Sequence, residues 1–297
     1  MVGLLPVSEE NQKPLEYADF HFRQGRHDPK SFSRLQNLLK AEPMISFLVV
    51  NYRSENRLGK CLTSIGVKAD GIKYEVVLVN NDPQEITSLK EKPGLKIIEV
   101  NRNVGFGTAC NLGVRQTKGD LLCFLNPDAE ILSKNIRSVI EKFDSDPKLG
   151  VLGARLLTED GKVQEWSAGK ETGLFDIILN NLGFARSSRI WKSGTPKQSD
   201  WVSGAAFFIR KDLFSSLNGF NEAFFMYFED MDLCKRVSQA GFKILHYPFF
   251  EVFHKGGGSF RGNKEQKKLY YESQDLYFRK HRGAVSLYIL KFLRLFS

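Results

Sequence analysis

Four apolar runs, each closing on polar residues, constrain this chain more than any other feature. They are ISFLVVNY from Ile45, YEVVLVNND from Tyr74, LKIIEVN from Leu95 and DLLCFLNPDAE from Asp120. Runs this short and this continuously rich in Val, Ile and Leu read as strands covered on both faces, the condition of a parallel sheet. After the first, RLGKCLTSIGV carries helical apolar spacing through Leu58, Leu62 and Ile65. After the third, NVGFGTACNLGVRQTKG reads as a glycine-rich turn entering a helix. Repeated strand–helix–strand units predict an α/β fold with a doubly wound, mostly parallel sheet. Ligands of such sheets bind beyond the carboxyl ends of the strands. Here those ends read Asn51-Tyr52, Asn80-Asn81-Asp82, Asn101-Arg102-Asn103 and Asn126-Pro127-Asp128. Each alone also suits an ordinary turn; together they predict a polar edge.

Further along, NIRSVIEKFDSD reads as a helix and LGVLGARLL as a strand. WVSGAAFFIRK is strand-like, and GFNEAFFMYFEDMDLCKRVSQAGFKIL passes from loop into helix and out. Residues 160–200 are irregular, and within them the Gly- and Ser-bearing stretch 166–194 is expected to be mobile in part. Residues 1–43, with a short basic helix in SFSRLQNLLKAE, read as an extension; 44–262 as the main domain; 263–297 as a basic, amphipathic helical tail.

With 42% hydrophobic residues among 297, the chain can bury a large core. Its net charge of +9 favours anionic partners. The basic residues are spread rather than clustered among aromatics, which argues against nucleic acid. Cys61, Cys110, Cys123 and Cys234 show neither CxxC nor zinc spacing, so a reducing, cytoplasmic setting is expected. The amino terminus lacks the features of a signal peptide, and no apolar stretch reaches the ~18 residues of a spanning helix. The last segment, AVSLYILKFLRLFS (284–297), has two readings. It is a helix packed on the protein's own core, or an interfacial helix whose Lys291 and Arg294 meet anionic lipid.

Three clusters can carry chemistry. Asp128 in Asn126-Pro127-Asp128 can hold a hard divalent ion, Mg²⁺ or Mn²⁺, that shares phosphate oxygens; the plainer reading is a turn. In Glu229-Asp230-Met231-Asp232, the i+4 spacing to Arg236 lets Asp232 pair along a helix. Glu229 and Asp230 then lie at the helix start, where acidic side chains suit the dipole. Capping is the plain role for Glu229, and Asp230 is the candidate general base. His254, ahead of three glycines, is a structural histidine or a metal ligand. Gly105-Phe106-Gly107 does not make a dinucleotide fingerprint, because it follows the third strand and residue 110 is Cys.

In order, VVNYRSENRLGKCLTSI, VVLVNND, NRNVGFGTACNLGV, LLCFLNPDAEI, GFNEAFFMYFEDMDLCKRV and VFHKGGGS closely resemble family-2 inverting glycosyltransferases over about residues 44–260. Within that family the chain is most similar to rhamnosyltransferase-like enzymes of cell-surface polysaccharide assembly. The resemblance implies a GT-A fold, a Rossmann-like nucleotide half fused to an acceptor half. It implies a nucleotide-diphosphate sugar donor, dTDP- or UDP-linked, and a glycan or lipid-linked acceptor. Asn51 and Tyr52 are implied base or ribose contacts. Asn80 stands where the family usually has an Asp that reads the pyrimidine, and Asn103 and Asn111 match positions near base and diphosphate. Asn126 replaces the first carboxylate of the family's metal-binding DxD, leaving Asp128 and His254 as implied ligands. Asp230 matches the catalytic base. Two other readings remain: a weak or inactive sugar-nucleotide-binding homologue, on the two Asn replacements, and a nucleotidyltransferase, disfavoured because NYRSENRLGK has little glycine.

Overall fold

The computed structural model describes residues 43–86, 88–89, 94–171, 173, 187–256 and 264–294. The helix expected at 31–42, much of the irregular stretch before 187 and the glycines after Gly256 lie outside them. Residues 43–297 form one compact unit.

The strands are β1 (Ile45–Asn51), β2 (Tyr74–Asn80), β3 (Leu95–Glu99), β4 (Leu121–Leu125), β5 (Ala129–Ile131), β6 (Leu149–Leu157), β7 (Ala168–Gly169), β8 (Lys197–Ser199), β9 (Trp201–Val202), β10 (Ala206–Arg210) and β11 (Lys243–His254). The helices are α1 (Glu55–Lys68), α2 (Phe106–Val114), α3 (Arg137–Ser145), α4 (Ser188–Trp191), α5 (Lys211–Ser216), α6 (Glu229–Gln239) and α7 (Lys264–Leu293). Among the described residues the main sheet runs β3-β2-β1-β4-β10-β6-β11-β5, with β8 beside β11; β7 and β9 form a small second sheet.

The first four strands are parallel, as their apolar runs predict. Alternate residues of β1 face opposite cores. Ile45, Phe47 and Val49 pack with Leu58, Leu62 and Ile65 of α1; Leu48 and Val50 pack with Ala109 and Val114 of α2. Burial on both faces is what makes the run continuous. Beyond β4 the sheet is mixed. β10 runs antiparallel between β4 and β6, while β11 runs parallel to β6.

Two expected strands break where the site lies. DLLCFLNPDAE divides into β4 and β5 at Asn126-Pro127-Asp128, and β5 crosses over to pair with β11. WVSGAAFFIRK divides into β9 and β10 around Ser203-Gly204-Ala205, where Asn126 N–H donates to Ala205 O at 2.9 Å. A Pro cannot donate to a ladder, which ends the first run.

The segment expected as a tail docks on the domain. Tyr277, Phe278, Leu287 and Leu290 of α7 form a third core cluster with Phe224 and Phe228. Gly283, at φ 81°, breaks α7 into two helical pieces. Val285, Tyr288, Ile289 and Phe292 stay exposed on the second piece. No helix among the described residues is long and apolar enough to cross a membrane.

Candidate active site

A cavity of about 630 Å³ opens along the edge where the parallel strands end. The ends of β1, β4 and β11 border it, and antiparallel β10 starts there because Ala206 pairs with Leu125 at the end of β4. Three groups of side chains meet there. Tyr52 and Asn103 stand on one wall, Asn126, Asp128 and His254 on another, Glu229 and Asp230 on a third.

The acidic pair is held tightly. Tyr227 (φ 69°) and Phe228 (φ 63°) both adopt the left-handed conformation immediately before α6. Such backbone is costly for non-glycine residues and persists where packing enforces it; here Phe228 is locked in the third core cluster. Asp230 Oδ2 accepts the Gly204 N–H at 2.8 Å, tying the helix start to the break between β9 and β10. Glu229 is buried, and its Oε2 has no hydrogen-bond partner among the described residues. Burial, reinforced by the charge of Asp230, pushes Glu229 up to about 8. Burial also raises Asp230, opposed by the N–H groups of Gly204 and Met231. The two carboxyls are therefore coupled, and both are raised above their ordinary values. Asp232 pairs with Arg236 at 2.8 Å as its spacing predicts, and also binds Lys280 (2.7 Å) and His281 (2.8 Å) of α7.

On the facing wall, His254 Nδ1 lies 2.9 Å from Gln164 Oε1. Nε2 of the same ring lies 3.1 Å from Asn126 Nδ2 and 3.4 Å from Asp128 Oδ1. Burial works to raise the Asp128 carboxyl, but the His254 hydrogen bond and the charges of His254 and Arg57 hold it below its usual value. A carboxylate and an imidazole nitrogen at this spacing are a hard and a borderline donor that suit a divalent ion completing its shell elsewhere. Among the described residues, no three His, Cys, Asp or Glu side chains gather as a full metal cage.

Three residues expected to touch a nucleotide, Asn51, Asn80 and Asn111, are engaged by protein groups and are not among those bordering the cavity. Asn51 donates to Asn80 Oδ1 at 2.8 Å and accepts from Ser54 N–H at the start of α1. Asn80 is fully buried, and its amide donates to Gln84 O (2.7 Å) and Glu99 Oε2 (2.5 Å). Asn111 clamps the loop after α5 through Phe220 N–H, Phe220 O and Glu222. All three support the walls. Asn81 lines the cavity in their place, donating to Asn103 Oδ1 at 2.9 Å. Both asparagines are buried, and successive side chains at the end of β2 point in opposite directions, so only Asn81 borders the cavity.

Local sequence patterns also missed Arg57, Gln164, Ser203-Gly204 and Lys255 as wall residues. One signal was present. Gly105, at φ 88°, leaves room for the Phe225 carbonyl, which a Cβ would approach to 2.5 Å. The glycine pair seams α2 to the loop that leads into α6.

Comparison with known proteins agrees with this fold. The family profile described as glycosyl transferase family 2 matches residues 46–214, and one described as the N-terminal domain of galactosyltransferase matches 186–255. The rhamnosyltransferase WbbL of Escherichia coli K12 is 26% identical over 223 residues, covering 71% of this chain and 83% of its own. The N-acetylglucosaminyl-diphospho-decaprenol L-rhamnosyltransferase of Mycobacterium tuberculosis is 23% identical over 233 residues, covering 71% and 76%. The mannosyltransferase PcManGT from Pyrobaculum calidifontis, solved with GDP-Man and Mn²⁺, superposes with a TM-score of 0.57 at 17% identity, over 90% of this chain and 71% of its own.

Proposed function

The chain belongs to glycosyl transferase family 2, and from that premise we propose that it moves a sugar, with inversion at the anomeric carbon, from a nucleotide-diphosphate donor to an acceptor hydroxyl. The observation that carries the reading is one cavity bordered by an acidic pair, an Asp–His–Asn cluster and a tyrosine-bearing strand end. Tyr52, Asn81 and Asn103 receive the nucleoside. Asp128 and His254, with Asn126 beside them, face the diphosphate and would hold Mg²⁺ or Mn²⁺. A bound divalent ion would supply neutralisation of the charge that builds on the diphosphate. Asp230 accepts the proton of the acceptor hydroxyl as its oxygen bonds to the anomeric carbon. The bond from that carbon to the diphosphate oxygen breaks, and its electron pair leaves with the diphosphate. Burial favours the neutral form of Glu229, while the Gly204 and Met231 N–H groups favour the ionised form of Asp230.

The two rhamnosyltransferases support rhamnose as the sugar, and the diphospho-decaprenol in one name supports a lipid-linked acceptor. The acceptor is then met at the inner face of a membrane, with the exposed apolar face of α7 as the contact.

Incubation with dTDP-rhamnose, UDP- and GDP-sugars, with Mn²⁺ or with EDTA, tests the reading. Sugar release or transfer from one donor, lost in EDTA, is expected. Binding of a donor without turnover would instead favour the inactive homologue that Asn126 allows, and turnover unaffected by EDTA would remove the metal.

A further inference from the structure

Arg57 is the unexpected group at the diphosphate wall. It stands in the first turn of α1, half-exposed, and its Nη1 lies 3.4 Å from Asp128 Oδ2. The other oxygen of Asp128 lies 3.4 Å from His254 Nε2. Both oxygens of the carboxylate in the Asn126-Pro127-Asp128 turn are therefore engaged, one of them by a permanent cation. Arg57 borders the same cavity. A metal ion arriving alone on Asp128 would meet a fixed positive charge within a few ångströms, an unfavourable approach. A diphosphate arriving reverses the situation. Its oxygens match the guanidinium fork better than a single carboxylate oxygen at 3.4 Å does. The 3.4 Å contact is long for a charge-assisted hydrogen bond and its Arg57 end is 42% exposed, so the arginine can swing away from the more buried Asp128.

We propose that Arg57 is a diphosphate ligand that closes Asp128 to metal until a nucleotide diphosphate draws it away. Metal and donor binding are then mutually dependent, because any factor by which UDP raises metal affinity must equal the factor by which metal raises UDP affinity. The inference rests on the cavity being the diphosphate site.

The test is binding rather than turnover. Mn²⁺ affinity is measured by the electron paramagnetic resonance of free Mn²⁺, with and without UDP, for the full chain, Arg57→Gln and Arg57→Lys. UDP, GDP, dTDP and inorganic pyrophosphate affinities are measured by calorimetry in EDTA. The unsubstituted protein should bind Mn²⁺ weakly alone and about tenfold or more tightly with a bound nucleotide, within the usual range of coupling. Arg57→Gln should bind Mn²⁺ more tightly than the unsubstituted protein when nucleotide is absent. It should also bind nucleotide and pyrophosphate more weakly in EDTA, and the coupling should shrink. Arg57→Lys should keep the low metal affinity, because it keeps the charge. Unchanged Mn²⁺ affinity in nucleotide-free Arg57→Gln, or unchanged diphosphate affinity in EDTA, overturns the proposal. If the unsubstituted protein binds none of the diphosphates under any condition, the diphosphate reading of the cavity fails and the latch fails with it. Nucleotide binding that Arg57→Gln leaves intact removes the latch alone.

Discussion

Glu229 and Asp230 occupy adjacent positions yet differ in what surrounds them. Asp230 has the Gly204 N–H against its carboxylate, while Glu229 Oε2 has no such partner among the described residues. A buried carboxylate without a donor favours its neutral form. Asp230→Asn is expected to keep fold and donor binding but lower turnover by ~10²–10⁴, the range for a lost general base. Near-normal transfer by the purified variant would pass the role to Glu229. Glu229→Gln imitates the neutral acid and should retain turnover at pH 7. It also carries a stability signature. The Glu229 carboxyl rises from an ordinary value of 4.5 when unfolded to about 8 when folded, so between those values the folded state binds more protons. Stability must then fall as pH rises through that window and level off above it. Melting curves from pH 5 to 9 should show this decline in the unsubstituted protein and a shallower one in Glu229→Gln. Parallel curves would mean that Glu229 is ionised throughout.

Among the elements, α6 is held from three sides. The Gly204 amide fixes its first turn, the loop before it is seamed to α2 at Gly105, and α7 grips Asp232 through Lys280 and His281. Glu171 extends the grip, accepting from Lys235 of α6 and from Tyr277 and Arg282 of α7. Ser273 of α7 donates to Met226 O at 2.6 Å, so the loop before α6 is pinned as well. Gly105→Ala tests the seam. It places a side chain at positive φ and 2.5 Å from the Phe225 carbonyl, and should cost about 1–3 kcal/mol of stability and disturb turnover. Gly71→Ala is the control. Its φ of 71° is also positive, but a Cβ there meets nothing within 4 Å. It should lower stability less and leave turnover alone. Equal effects of the two substitutions in urea denaturation and in transfer assays would show that only backbone strain matters at Gly105.

At the scale of the whole molecule, the two readings of the last segment are both partly realised. One face of the second helical piece of α7 supplies Leu287 and Leu290 to the core; another leaves Val285, Tyr288, Ile289 and Phe292 exposed. Deleting 284–297 would open the core, so point substitutions are the sound probe. The double substitution Tyr288→Ser with Phe292→Ser should leave donor binding intact and reduce co-sedimentation with anionic vesicles at low salt. Full-length protein that stays in the supernatant under those conditions would exclude the membrane contact. The nearby cations add little lipid attraction of their own. Lys291 and Arg294 pair with Asp275, Lys280 with Asp232 and Arg282 with Glu171, so the apolar face carries the expectation.

What the chain determined locally is the α/β plan and its functional edge. Burial on both faces writes itself as unbroken apolar runs, and a parallel strand that leaves the core must end on polar residues at one side of the sheet. The i+4 pairing of Asp232 with Arg236 was legible for the same reason, since helix geometry makes it local. The finer assignments belong to the tertiary structure. Whether Asn80 or Asn81 faces the cavity depends on where β2 stops alternating, one residue either way. The Gly204 amide against Asp230 spans 26 residues, Lys280 against Asp232 spans 48, and Arg57 against Asp128 spans 71. No periodicity records such pairs, because each exists only after the sheet has brought separate strand ends and helix starts together.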